Sequence, residues 1–171
     1  MERIRILLVH TPFNWRRPLT IISHLIRKVT GNFWNHAAIM VKIENSWFIL
    51  ESDIKGVVLL PYKDWVREQT LQIWIPTENP AALGRMLSKC GNTKYDFLSL
   101  FWFQLVYQLT GKFYGFTSER KAAKTFYCYE YIGWVYHMKD WFKIDPDSFI
   151  RELPKIGARC LYREIKAKEL L

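Results

Sequence analysis

The sequence predicts an α+β fold in which an antiparallel sheet packs against helices. Two observations carry this. Four short runs between residues 35 and 76 are apolar and rich in β-branched side chains, and brief polar or proline-marked breaks separate them, so they read as successive strands. Outside that block, apolar residues recur at helical spacing, as in "LTIISHLIRKVTG" and "PAALGRMLSKCG".

The elements follow in order. "RIRILLVH" alternates weakly and reads as a first strand, and "TPFNWRRP" after it is a loop marked by two prolines. Ile21, Ile22, Leu25, Ile26 and Val29 form a helical stripe that ends at Gly31. "NHAAIMVKI" and "WFILES" flank "ENS" and make a hairpin, and "GVVLLP" and "LQIWIP" add two strands, each ended by proline. A helix closed by Gly91, a second over "YDFLSLFWFQLVYQLTG" closed by Gly111 and a third from about residue 128 are then expected. The tail "GARCLYREIKAKELL" reads as a last strand with a charged, frayed end. No repeat, linker or change in composition divides the chain, so residues 1–171 are expected to form a single domain.

Composition narrows the class. Half of the 171 residues are hydrophobic, with 8 Trp, 9 Tyr and 11 Phe, which excludes a disordered chain. The N-terminal apolar stretch is short, interrupted by Arg5 and followed by no small-residue cleavage site, so it is not a secretory signal, and a cytoplasmic location is expected. The apolar run from Phe97 is broken by Gln104, Gln108, Gly111 and Lys112 and falls short of the roughly 20 apolar residues a spanning helix needs, so no transmembrane segment is expected. The three cysteines, Cys90, Cys128 and Cys160, fit neither a disulfide framework nor zinc-ligand spacing. A net charge of +9 can attract nucleic acid, anionic membrane or an acidic substrate and does not choose among them.

Cys128 opens "CYEYIGWVY". Free cysteine usually behaves as a small buried hydrophobe, and a helix apolar nearly all round is a central one. At the first turn of such a helix, however, unpaired N–H groups and the positive end of the dipole favour thiolate over thiol. A thiolate nucleophile needs a base, and a histidine oriented by a carboxylate is the common solution. His36 opens one strand and Glu51 closes the next. If Glu44 and Asn45 form a two-residue loop, Ile43 faces Ser46 and Ala38 faces Glu51, which puts His36 on the Glu51 face one diagonal away. A three-residue loop puts them on opposite faces.

The order of "NHAAIMV" with "LES", then "YDFLSL", then "FYCYEYIGWVY" resembles the circularly permuted papain-like hydrolases of the NlpC superfamily, in particular the YiiX-like branch, over roughly residues 1 to 150. The match includes "LIRKVTG" before the histidine and "DPDSFIREL" after the cysteine helix. A Cys-Ser-Glu signature is met by Cys128 and Glu130, with Tyr129 in place of the small residue, which narrows the space beside the sulfur. The resemblance implies Cys128 as nucleophile, His36 as general base and acid, and Glu51 as the residue orienting the imidazole. Tyr95 and Asp96 match a Tyr-Asp motif, which makes Tyr95 the candidate for the oxyanion site and Tyr129 a neighbour of the substrate.

The expected function is therefore a cysteine peptidase or amidase that cleaves an amide of a small or cell-wall-type peptide through a thioester acyl-enzyme, without metal or organic cofactor. The first rival is a lipid-directed acyltransferase or thioesterase using the same triad, since related permuted domains handle acyl chains. The second is a non-catalytic basic binding module, but its aromatics fall mainly in apolar runs, so no specific nucleic-acid partner is expected. Within Ser118 to Lys124, Arg120, Lys121 and Lys124 form either a solvated face or an attractant for a substrate anion. His10, His24 and His137 have no comparable neighbourhood and read as structural or exposed.

Overall fold

A computed structural model of the protein describes residues 3–13, 24, 31–96, 110 and 123–170. Its centre is a six-stranded antiparallel sheet in the order β4-β3-β2-β1-β5-β8. The strands are β1 (Ile4–His10), β2 (His36–Ile43), β3 (Ser46–Asp53), β4 (Gly56–Pro61), β5 (Thr70–Ile75) and β8 (Arg159–Lys166). The expected strands are all present. The expected helices over residues 19–31 and 95–111 lie, apart from His24, Gly31, Tyr95, Asp96 and Thr110, outside the described residues.

The β2–β3 hairpin has the two-residue loop, with Ile43 paired to Ser46 and Glu44 in the left-handed region at φ 52°. Alternation then sorts the side chains to two faces. One face buries Leu7, Val9, Ala38, Met40, Ile49, Leu71 and Ile73 beneath the four-residue helix α1 (Tyr62–Trp65), which crosses from β4 toward β5. The other buries Ile6, Leu8, Ala37, Ile39, Val41 and Leu50 against the helical layer.

That layer comprises α2 (Pro80–Ser88), α3 (Cys128–Val135) and α4 (Pro146–Glu152), with the short parallel pair β6 (Lys94–Tyr95) and β7 (Thr125–Phe126) leading into α3. Asn79 caps α2 by accepting from the Ala82 N–H, Pro80 begins it, and Gly91 with φ 69° follows it. Asp145 caps α4 in the same way through the Ser148 N–H. α3 is shorter than its apolar run suggests. It stops at Val135, where Arg85 Nε donates to the Val135 carbonyl at 2.6 Å and His137 turns the chain at φ 52°. Gly133 is required by packing, because a Cβ there would lie 2.9 Å from Trp141 Cβ.

The tail departs from expectation. It is docked, not frayed: Ala167 is buried, its N–H donates to the Gln69 carbonyl at 3.0 Å and its carbonyl accepts from the Tyr62 hydroxyl at 2.7 Å. An apolar residue in a charged stretch gives the tail an anchor that charge counting hides. Among the described residues no helix is long and apolar enough to cross a membrane.

Candidate active site

β2 and β3 separate at one end. Their ladder runs from Ile43–Ser46 to Ile39–Leu50 and stops, although β2 stays paired with β1 down to His36 and β3 stays paired with β4 out to Asp53. The expected pairing of Ala38 with Glu51 is therefore not made. The end of β3 is engaged elsewhere, since the buried Ser52 hydroxyl donates to the Phe126 carbonyl at 2.7 Å, immediately before α3. α3 packs against both separating strands. The split lets a side chain from the α1 face of the sheet meet one from the helical layer on the other face.

Those two side chains are His36 and Cys128. The imidazole Nε2 lies 2.7 Å from Glu51 Oε2, and the ring interacts electrostatically with the Cys128 side chain. With Nε2 committed to the carboxylate, Nδ1 is the ring nitrogen left for the sulfur. Burial alone would drive His36 toward the neutral form. The charge of Cys128 and its hydrogen bond, followed by the hydrogen bond and charge of Glu51, outweigh burial and raise the imidazole well above the usual histidine range. Burial likewise opposes ionisation of Glu51. The hydrogen bond and charge of His36, the Trp65 indole N–H donating to Oε2 at 2.9 Å and the charge of Arg67 hold it below the usual carboxylate range. Carboxylate and imidazole thus favour each other's charged form, with the sulfur on the far side of the ring from the carboxylate.

Local folding fixes each end of that line. The loop before His36 is fastened to the helical layer, because the Tyr129 hydroxyl donates to the Trp34 carbonyl at 3.1 Å and Asn32 Nδ2 donates to Asp147 Oδ1 at 2.6 Å. Asn35 holds the same loop to the end of β1 through its N–H on the Val9 carbonyl and a reciprocal pair with the Thr11 backbone. On the helix side, the Tyr127 N–H donates to Glu130 Oε2 at 3.2 Å, half of a capping box that closes the first turn around Cys128. Tyr127 sends its hydroxyl to the Ile144 carbonyl. Glu130 is 1% exposed, and burial, reinforced by Asp96 and Cys128 and opposed by the Tyr127 N–H, raises its carboxyl well above the usual range.

The other expected site residues fall as follows. Tyr129 is 3% exposed, and its hydroxyl is engaged with the Trp34 carbonyl, so it serves as a tether between the histidine loop and the cysteine helix. The Tyr95 side chain lies outside the described residues, while neighbouring Asp96 is buried and accepts from the Thr125 hydroxyl at 2.8 Å. Residues 118–122 of the basic segment are also outside them, and Lys124 is exposed. His10 stacks on Phe33 at 4.2 Å between ring centroids, and His24 and His137 are exposed. Trp65, Ser52 and the buried state of Glu130 were not expected from the sequence. The one signal for Glu130 is a carboxylate three residues after the helix start, the capping-box position. No family model matches the chain, and no curated protein matches it.

Proposed function

We propose that this chain is a cysteine hydrolase of the permuted papain-like type, acting on the amide of a small peptide. The observation that carries the reading is that the imidazole held by Glu51 at 2.7 Å is also electrostatically coupled to Cys128, at the first turn of a buried helix. Cys128 Sγ attacks the carbonyl carbon as thiolate. The first-turn N–H groups of α3, which have no intrahelical acceptor, supply donors for the developing oxyanion. The C–N bond breaks as the His36 imidazolium gives its proton to the leaving amine, which leaves a thioester on Cys128 and a neutral imidazole. That imidazole takes a proton from water, the hydroxide adds to the thioester carbonyl, and the sulfur leaves as thiolate beside a restored imidazolium. Glu51 keeps the ring aimed throughout and does not itself carry the proton.

The test uses short peptide amides alongside acyl thioesters, with intact-mass detection of a covalent intermediate. A transient acyl adduct on Cys128 and release of peptide acid, both lost in Cys128→Ser and in His36→Ala, are the expected results. Turnover that survives Cys128→Ser would refute the reading. Phe13 and Phe33 are 37% and 48% exposed in the loops that lead to and from the His36 end of the sheet, and this favours a second reading as an acyltransferase or thioesterase. Under it, long-chain thioesters would react in preference to peptide amides.

A further inference from the structure

The hairpin end of the sheet, away from His36, gathers positive charge that no carboxylate balances. β1 and β2 pair through Ile4–Val41 and Arg5–Met40, and the Lys42 N–H donating to the Arg3 carbonyl at 2.8 Å extends the ladder by one pair. Alternation sets Arg3, Arg5 and Lys42 on the face that carries His36, but at the other end of β2, about 20 Å along the strand. Trp47 of β3 is paired with Lys42 on that face. Its half-buried ring is where the cations meet. Arg5 Cζ reaches across β2 to stand 4.5 Å from the ring centroid, and Lys42 Nζ stands 5.9 Å from it.

This arrangement costs the free protein stability in two ways. Like charges directly opposite each other weaken a ladder, yet Arg3 faces Lys42. A partly buried guanidinium ordinarily finds an acceptor, yet Arg5 Nε is buried without one, and among the described residues no carboxylate lies within ion-pair distance of Arg3, Arg5 or Lys42. The Trp47 ring holds the charge in place without neutralising it. A bound anion would supply the missing negative charge and offset both costs.

We propose that Arg3, Arg5 and Lys42, ordered on Trp47, form a binding site for a phosphate group. Three cations match a phosphate monoester, which carries close to two charges at neutral pH, better than they match a singly charged carboxylate. Arg5 adds a planar fork of donors suited to phosphate oxygens, and Lys42 adds a point charge on a flexible stem. The site shares no residue with the Cys128 chemistry and does not rest on the hydrolase reading.

The experiment is an NMR titration of the full chain, followed at the Trp47 indole N–H and at the backbone N–H groups of Arg5 and Lys42. Inorganic phosphate is the first probe, against sodium chloride of equal ionic strength. Vesicles of phosphatidylcholine containing phosphatidic acid are the second, against phosphatidylcholine alone. The expected result is a saturable shift at these three positions that chloride does not produce. Arg3→Gln and Lys42→Gln, which change side chains at the exposed and half-buried rim and so keep the fold, should each weaken binding by about three- to tenfold, the size of one screened charge-assisted contact. Cys128→Ser should bind as wild type does. Saturation by inorganic phosphate means that the group is recognised free in solution, whereas a response to the phosphatidic acid vesicles alone, weakened in the same two variants, means that it is recognised as a lipid headgroup. No shift beyond the control with either probe would overturn the proposal. So would shifts that both variants retain at full affinity, which would place the anion elsewhere on a chain of net charge +9.

Discussion

Glu51→Gln removes one negative charge from the centre of the site and leaves an oxygen where Oε2 now stands. That oxygen accepts from His36 Nε2 at 2.7 Å and from Trp65 Nε1 at 2.9 Å, and a carboxamide oxygen has lone pairs for both. The variant keeps the shape and loses the charge. Because Glu51 is only 8% exposed, its bonds are little screened. Charge-assisted bonds stabilise by about 1.5–3 kcal/mol each against about 1 kcal/mol for neutral ones, and relief from burying a charge offsets part of the difference, so the variant should lose about 1–2 kcal/mol. The sign of the pH dependence follows from the two shifts. Glu51 is lowered, so its contribution is complete above its ordinary value of 4.5 and is lost as pH falls through the folded value. His36 is raised, so its contribution is complete below its ordinary value of 6.5 and is lost as pH rises through the folded value. The charged pair contributes in full between those limits. Urea unfolding should therefore show the largest difference between wild type and variant near pH 5.5, shrinking through alkaline pH as the imidazole becomes neutral. A difference constant across that range would mean that His36 and Glu51 do not ionise as a pair. Turnover should fall by about 10–100-fold, less than in His36→Ala, since an orienting carboxylate assists the base without moving the proton.

Two further outcomes are expected from residues that shape the site without reacting. Ser52→Ala leaves the Phe126 carbonyl without the hydroxyl that now donates to it at 2.7 Å, and should cost about 1–2 kcal/mol in denaturant unfolding while slowing alkylation of Cys128, because the chain entering α3 is no longer held to β3. Glu130→Gln should be close to neutral below the ordinary carboxyl value of 4.5, where the group is protonated in the folded and the unfolded chain alike and the amide oxygen can still accept from the Tyr127 N–H. For a carboxyl raised on folding, wild type loses stability as pH climbs from that ordinary value to the folded value, so the Gln variant should gain relative to wild type over that range and hold the gain above it. An unfolded or strongly destabilised Glu130→Gln protein at neutral pH would show that the carboxyl is ionised after all.

The hairpin that carries half the site was legible in the sequence. The polar break between period-two strands allowed a two- or a three-residue loop, and only the two-residue one, which the structure has, puts His36 and Glu51 on one face. The separation of β2 from β3 was not legible, because it depends on a bond from Ser52 to a carbonyl 74 residues away. Trp65 carries no signal in the sequence, and only the placement of α1 over the sheet brings its N–H to Glu51. Glu130 is hidden for another reason. Glutamate is almost never fully buried, so composition argues against what a carboxyl raised by burial makes possible. The tail misled in the same way, its anchor being one alanine held by a hydroxyl 105 residues earlier.

The central claim is that Cys128 is paired with His36 as a reactive sulfur and is not merely a small core residue, and competition among the three cysteines for iodoacetamide tests it most directly. Accessibility alone predicts the opposite order, because Cys128 is 4% exposed whereas Cys160 is exposed. Reactivity favours Cys128: burial raises the thiols of both Cys90 and Cys160, with Arg163 opposing the shift at Cys160, so near pH 6 neither holds appreciable thiolate. Peptide mass mapping after brief treatment at about pH 6 should mark Cys128 first in the folded protein, and His36→Ala should abolish that preference. Labelling led by Cys160, or labelling of Cys128 that is indifferent to His36→Ala, would contradict the account.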